Sequence, residues 1–203
     1  MVKAYYRMIS HMDASIEQIR TVLRDLHIAG NTVIMYMSDN GYLLGEWRMS
    51  DKYYGWEESL RVPLIICDPR AGAQHGASNA NIVLNADITP TILELAGVPV
   101  PGAYQGASLV PLIQGRDVPS WRNKFYFEQH FDDDVHAMYG VRTPQWKYVN
   151  FYKEDAYEQL YDLQKDPGET CNLARNPGAA AAIGEMRRIS QVYISRYTKV
   201  ETR

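Results

Sequence analysis

Three residues in one short stretch offer chemistry beyond packing. Asp39 and Asn40 follow the apolar run 32–37 and sit in the turn Ser38-Asp39-Asn40-Gly41. A carboxylate beside an amide carbonyl supplies hard oxygen donors of the kind that calcium or magnesium takes. An open α/β sheet places its ligands beyond the ends of buried strands, and Gly41 permits a tight turn that points both side chains the same way. Read alone, Asp-Asn-Gly is an ordinary polar turn, the commoner role of these residue types. Lys52 follows about a dozen residues later. Beside a cation-anion site, its ammonium would hold an oxyanion as a point charge; alone, a lysine is usually solvated.

Other reactive residue types are weaker candidates. The segment 128–136, Glu-Gln-His-Phe-Asp-Asp-Asp-Val-His, concentrates carboxylates and two histidines, His130 and His136. A solvated acidic loop between strands accounts for it, whereas a metal site would need the side chains to point inward together. Two cysteines, Cys67 and Cys171, are too few for a disulfide framework or a cysteine-rich zinc site. Cys67 ends an apolar run and is expected as a small buried residue, and Cys171 as structural in a turn. His11 adjoins the apolar stripe of a helix and is expected to pack there.

These residues need elements to position them. Ile9, Met12, Ile16, Ile19, Leu23 and Leu26 recur at three- and four-residue spacing, which predicts an amphipathic helix ending before Gly30. The unalternated apolar run 32–37 predicts a strand covered on both faces, as in a parallel sheet, and 62–66 predicts a second. Residues 87–95 predict a short helix. Glycines and prolines crowd residues 97–120, which places a domain seam there and divides the chain into 1–118 and 119–203. Beyond the seam, strands are predicted over 125–128, 138–142, 146–151 and 159–162, with Asp166-Pro167-Gly168 as a turn. Asn176-Pro177 caps a last helix that carries Ile183, Met186, Ile189, Tyr193 and Tyr197 on one face. The fold class is α/β: part of a doubly wound sheet, then a small antiparallel α+β subdomain.

The composition bounds the function. With 203 residues, 46% hydrophobic and 22% charged, the chain can bury a sizeable core. A net charge of -3 gives no nucleic-acid-binding surface. No stretch approaches the ~20 apolar residues of a membrane span, and the first residues lack the apolar core of a signal peptide. Fifteen tyrosines against four phenylalanines favour surfaces where a core meets a polar cleft.

Several segments, in order, resemble the sulfatase family of the alkaline-phosphatase superfamily. They are SDNGYLLGE with Asp51-Lys52, then EESLRVPLIICDPR, DITPTILELAGVPVPGAYQGASLVPLI, GVRTPQWKYV and QLYDLQKDPGETCNLA. An ordered series at family-like spacing is more specific than any one motif. The resemblance implies an alkaline-phosphatase-like catalytic domain of which 1–118 is the C-terminal part. It implies a metal site, usually calcium, to which Asp39 and Asn40 contribute, and a sulfate-binding role for Lys52. It also implies a formylglycine nucleophile made from the first residue of a Cys-x-Pro-Ser-Arg or Ser-x-Pro-Ser-Arg motif. That motif and the other two metal-binding aspartates belong to the family's N-terminal region, and this sequence has no match to them; Cys67-Asp68-Pro69-Arg70 lacks the serine. By family position, His130 and His136 border the substrate cleft. Where histidine is common after Gly45-Glu46, this chain has Trp47.

The expected function is that of the C-terminal portion of a truncated sulfuric ester hydrolase, inactive alone. Its substrate class is a sulfate ester such as a sulfated carbohydrate. The alternatives are a phosphonate or phosphate ester hydrolase of the same superfamily, and a non-catalytic binding remnant. Export is common in the family. An incomplete sheet exposes apolar faces, so the chain is expected to need self-association or an N-terminal half for stability.

Overall fold

A computed structural model describes residues 2–70, 72–130, 137–153 and 157–197. The chain divides into two compact units. One comprises Met1–Asp51, Arg61–Asn79 and Val83–Pro119; the other comprises Lys52–Leu60, Ala80–Ile82 and Ser120–Arg203.

The first unit opens with helix α1, Val2–Asp25, where the apolar spacing predicts a helix. Strand β1, Ile34–Met37, follows, then the short pair β2 (Leu43–Leu44) and β3 (Ser50–Asp51). After the excursion through α2 (Glu57–Leu60) in the other unit, the chain returns as β4, Leu64–Cys67. Helices α3 (Ile88–Leu95) and α4 (Val110–Ile113) complete this unit.

Strands β1 and β4 pair antiparallel, Ile34 opposite Cys67 and Met37 opposite Leu64. This corrects the parallel arrangement expected from the apolar run. A parallel return needs a crossover of a dozen or more residues, usually a helix. The link here, residues 38–63, is long enough, but its α-helix, α2, has four residues and belongs to the other unit, so no crossover helix covers the β1–β4 pair. Nor is the pair covered on both faces: every residue of β1 is half-buried and Ile65 is 62% exposed. An unalternated apolar run shows hydrophobicity but not pairing direction. Alternation along β4 turns Cys67 outward, so it is exposed rather than buried as expected. His11 is exposed too, because α1 finds little cover for the packing assigned to it.

Asp87 organises the far end of this unit. It is fully buried, and its carboxylate accepts from the Leu84 and Ala107 backbone N–H groups at 2.7 and 2.8 Å. Thr91, also fully buried, donates to the Asp87 carbonyl and accepts from Leu109 N–H. Three stretches of chain are thereby joined without an orphaned buried donor. Gly106 is required there, since a Cβ would fall 1.9 Å from the Ala86 carbonyl oxygen.

The second unit is a four-stranded antiparallel meander in the order β5 (Phe125–Gln129), β6 (Met138–Arg142), β7 (Trp146–Phe151), β8 (Tyr157–Asp162). Helix α5, Ala180–Tyr197, covers one face, after Asn176 accepts from Gly178 N–H at the turn that starts it. Val141, Tyr148 and Leu160 pack there against Ile183, Met186 and Ile189, the helical stripe predicted from spacing. Met138, Val149 and Phe151, with Phe127, form the core of the other face.

Candidate functional site

Asp39 and Asn40 stand just beyond β1, where the strand gives way to a turn. Asn40 N–H donates to Asp39 Oδ1 at 2.9 Å, Ser38 Oγ donates to the Asn40 carbonyl at 2.8 Å, and Asn40 Nδ2 donates to the Gly41 carbonyl at 2.8 Å. Asn85 Nδ2 reaches across to the Asp39 carbonyl at 2.8 Å. Local hydrogen bonds therefore hold the backbone of the pair, and the Asp39 side chain is exposed. The loop that follows is unusual. Gly45, Trp47, Arg48 and Asp51 all adopt positive φ, at 132°, 57°, 60° and 91°. Non-glycine residues there store backbone strain, a feature that concentrates at functional sites.

The pair fits a hard cation in kind. Its donors are oxygens, with no thiolate or imidazole among them, as calcium prefers. In number it is only a partial set, because calcium takes about six to eight oxygens. Among the described residues no group of three or more histidine, cysteine, aspartate or glutamate side chains is placed to hold a metal.

Lys52 and His130 belong to the second unit, Asp39 and Asn40 to the first. Lys52 is half-buried, with its Nζ 6.0 Å from the centroid of the Tyr53 ring. His130 is exposed, its Nδ1 2.6 Å from the Tyr152 hydroxyl and its Nε2 3.5 Å from a Glu128 carboxylate oxygen. Within this unit the two candidates lie on neighbouring segments, since Gln129 Nε2 donates to the Tyr53 carbonyl at 3.4 Å. His136 lies outside the described residues.

Sequence reasoning missed a cluster of charges beneath the Lys52 segment. Lys147, on β7, is fully buried; its Nζ pairs with Glu169 Oε1 and lies 3.5 Å from Glu57 Oε1. Glu57 Oε2 accepts from Arg142 Nη2 at 3.2 Å. Glu169 Oε2 accepts from the Glu57 backbone N–H at 2.7 Å. Burial pushes the Glu57 carboxyl up, but the Lys147 charge and the Arg142 hydrogen bond outweigh it and hold the group below the usual glutamate range. At Glu169 and Lys147 burial prevails, raising the carboxyl and lowering the ammonium. Glu169 has a φ of 54° in the turn predicted at Asp166-Pro167-Gly168, where its N–H donates to the Asp166 carbonyl at 3.1 Å. The available signal was a lysine inside the apolar strand Trp-Lys-Tyr-Val, where a solvated charge has no place.

Comparison with known proteins places these segments. The family described as N-sulphoglucosamine sulphohydrolase, C-terminal, matches residues 45–193. The chain is 35% identical to an N-acetylglucosamine-6-O-sulfatase of Bacteroides thetaiotaomicron over 177 residues, covering 85% of this chain and 32% of that protein. It is 34% identical to human arylsulfatase K, covering 84% of this chain and 33% of the relative. The chain thus spans about a third of the length of these curated relatives. A solved structure described as a complex with its substrate D-glucosamine-2-N,6-O-disulfate superposes with a TM-score of 0.87 at 32% identity, over 94% of this chain and 40% of that one. A phosphonate monoester hydrolase of Agrobacterium radiobacter superposes with a TM-score of 0.78 at 25% identity, over 98% of this chain and 40% of that one.

Proposed function

Because the chain belongs to the sulfatase family described as N-sulphoglucosamine sulphohydrolase, C-terminal, we propose that it is the C-terminal portion of a sulfuric ester hydrolase acting on a sulfated amino sugar. The observation that carries this reading is the family match over 45–193, which takes in both the Lys52 segment and the C-terminal sheet. The sugar class is proposed from the relatives, one named for N-acetylglucosamine 6-O-sulfate and one bound to a sulfated glucosamine. Residues 1–118 would be the last part of a doubly wound catalytic domain, with β1 and β4 at its edge, and 119–203 the C-terminal subdomain.

Each residue then has a role that its chemistry allows. Asp39 and Asn40 would supply two oxygen ligands to calcium, and the remaining donors would come from other parts of a longer sulfatase. When bound, that ion offsets negative charge on the sulfate oxygens. Lys52 would hold a sulfate oxygen through its ammonium, neutralising charge as the ester bond breaks. His130 and His136 would border the sugar. The formylglycine nucleophile of the family has no residue in this sequence, so the isolated chain is expected to turn over no sulfate ester.

A second reading, hydrolysis of phosphonate or phosphate monoesters, has one observation in its favour: the likeness to phosphonate monoester hydrolases at TM-scores of 0.78 and 0.79. The test replaces the matching C-terminal third of the Bacteroides N-acetylglucosamine-6-O-sulfatase with this chain. Aryl sulfate, phosphate and phosphonate esters are compared with calcium, zinc and manganese. Calcium-supported sulfate turnover is expected, and a chimera that prefers the phosphorus esters would reverse the assignment.

A further inference from the structure

Lys52–Leu60 is an excursion. The residues flanking it belong to the first unit, yet the excursion itself packs into the second. Two contacts hold it against the β7 face that carries Lys147, Val149 and Phe151. At Gly55 the backbone lies so near the sheet that a Cβ would meet Val149 Cγ2 at 2.9 Å and Phe127 Cε2 at 3.4 Å. Two residues on, Glu57 enters the buried cluster: its carboxylate lies between Arg142 and Lys147, and its N–H is held by Glu169. Trp56, between them, is buried.

A buried ion cluster is a poor way to make a sheet stable. Withdrawing charges from water costs about what their attraction returns, and apolar side chains of similar volume commonly do as well. Phe151 and Val149 show that this face accepts apolar residues. What the charges add is direction. Arg142 and Lys147 define where the Glu57 carboxylate sits, and Glu169, held in a left-handed backbone conformation, fixes the Glu57 amide. Lys52 stands at the start of the segment so pinned, three residues before Gly55.

We propose that the Glu57–Lys147–Glu169–Arg142 cluster is a clasp that positions Lys52 by pinning the Lys52–Leu60 segment to the C-terminal sheet. Glu57, Lys147 and Glu169 are positioning residues, acting through the segment and not on substrate. The anion-holding role of Lys52 rests on the sulfatase reading; the clasp itself does not.

The full 203-residue chain tests it without any activity assay. Glu57→Ala removes the carboxylate on the segment but leaves the Lys147–Glu169 pair, between β7 and the turn after β8, in place. Peptide-resolved hydrogen exchange should then speed at least tenfold over 53–60, with β6, β7 and β8 unchanged. Acylation of the Lys52 amine by an activated ester, measured against Lys3 in the same chain, should change severalfold. Glu57→Gln, which keeps hydrogen-bonding atoms but not the charge, should restore part of both. Should Glu57→Ala fail to fold, Lys147→Met with Glu169→Leu removes two of the clasp's partners to Glu57, the Lys147 ammonium and the Glu169 acceptor of its N–H, without stranding either charge of that pair, and should loosen the same segment. Unchanged exchange over 53–60, equal loosening of segment and sheet, or an unaltered Lys52 rate would each overturn the proposal. A folded clasp whose chimera lacks sulfatase activity would instead remove the sulfatase reading and leave the clasp intact.

Discussion

At the scale of single residues, the chemistry-bearing positions divide by how local their signals are. The strand end at Asp39 and Asn40 was legible because an apolar run breaking into Asp-Asn-Gly is a pattern of adjacent residues, and the structure places that turn just past β1. The clasp was not legible, because its members are separated by up to 112 positions, as in the Glu57–Glu169 hydrogen bond. Spacing along a chain carries no information about such a meeting. Cys67 shows a different loss: its neighbours are apolar, but alternation on a strand with one open face turns it to solvent. The clasp makes a sharp stability claim. Lys147→Met strands the Glu169 carboxylate and leaves Glu57 with one cation, so it should cost about 3–5 kcal/mol in urea unfolding. Adding Glu169→Leu should return most of that loss. A single variant as stable as the wild type would show that the buried pair is not ionised.

At the scale of elements, periodicity served well where an element is covered on one side. The β6 and β7 boundaries match the predicted spans, and the α5 stripe of Ile183, Met186 and Ile189 packs on Tyr148 and Leu160. Pairing direction for β1 and β4 was beyond its reach, since hydrophobicity does not encode which way a strand returns. The tyrosine excess finds a place here as well. Tyr126 stacks on Tyr193 at 5.5 Å and on Tyr139 at 6.4 Å, which in turn stacks on Tyr152 at 5.9 Å, joining the end of α5 to the sheet. The same helix is tied to β8 by Arg187, whose Nε donates to Glu158 Oε1 at 2.7 Å, while the Tyr148 hydroxyl donates to that oxygen at 2.6 Å. The Arg187 hydrogen bond holds the Glu158 carboxyl below its ordinary value of 4.5, against the upward push of burial. A lowered carboxyl pKa stabilises the fold above the ordinary value, and that stability drains away as pH falls through the folded pKa. Thermal melts should therefore drop as pH falls below about 4.5. Glu57 has the same sign, so Glu158→Gln should flatten the acid slope without abolishing it. An unchanged slope would remove Glu158 from this account. Arg187 is half-exposed, so the pair's share of stability should be small, ~0.2–1 kcal/mol.

At the scale of the whole molecule, the unsatisfied surface matters most. Helix α1 runs 24 residues, yet its apolar stripe leaves Met12 44% and Ile19 57% exposed. A groove of about 370 Å³ opens between Ile9, Met12 and Ile16 on the helix and Ile34, Tyr36 and Ile65 on the β1–β4 pair. Contiguous apolar surface of this kind drives association. The purified chain should self-associate in light scattering, and a monodisperse monomer with one cooperative thermal transition would contradict that. The curated relatives are about three times as long as the stretch matched here, in keeping with a site for which this chain supplies only some of the residues. The chimera with the Bacteroides sulfatase puts that division of the site to the test. The decisive measurement is calcium-supported sulfate ester turnover in the chimera and in its Asp39→Ala and Lys52→Ala variants. Each substitution is expected to lower kcat/KM at least a hundredfold, with the calcium requirement weakened specifically in Asp39→Ala. An active chimera whose turnover is indifferent to both substitutions would remove Asp39 and Lys52 from the site.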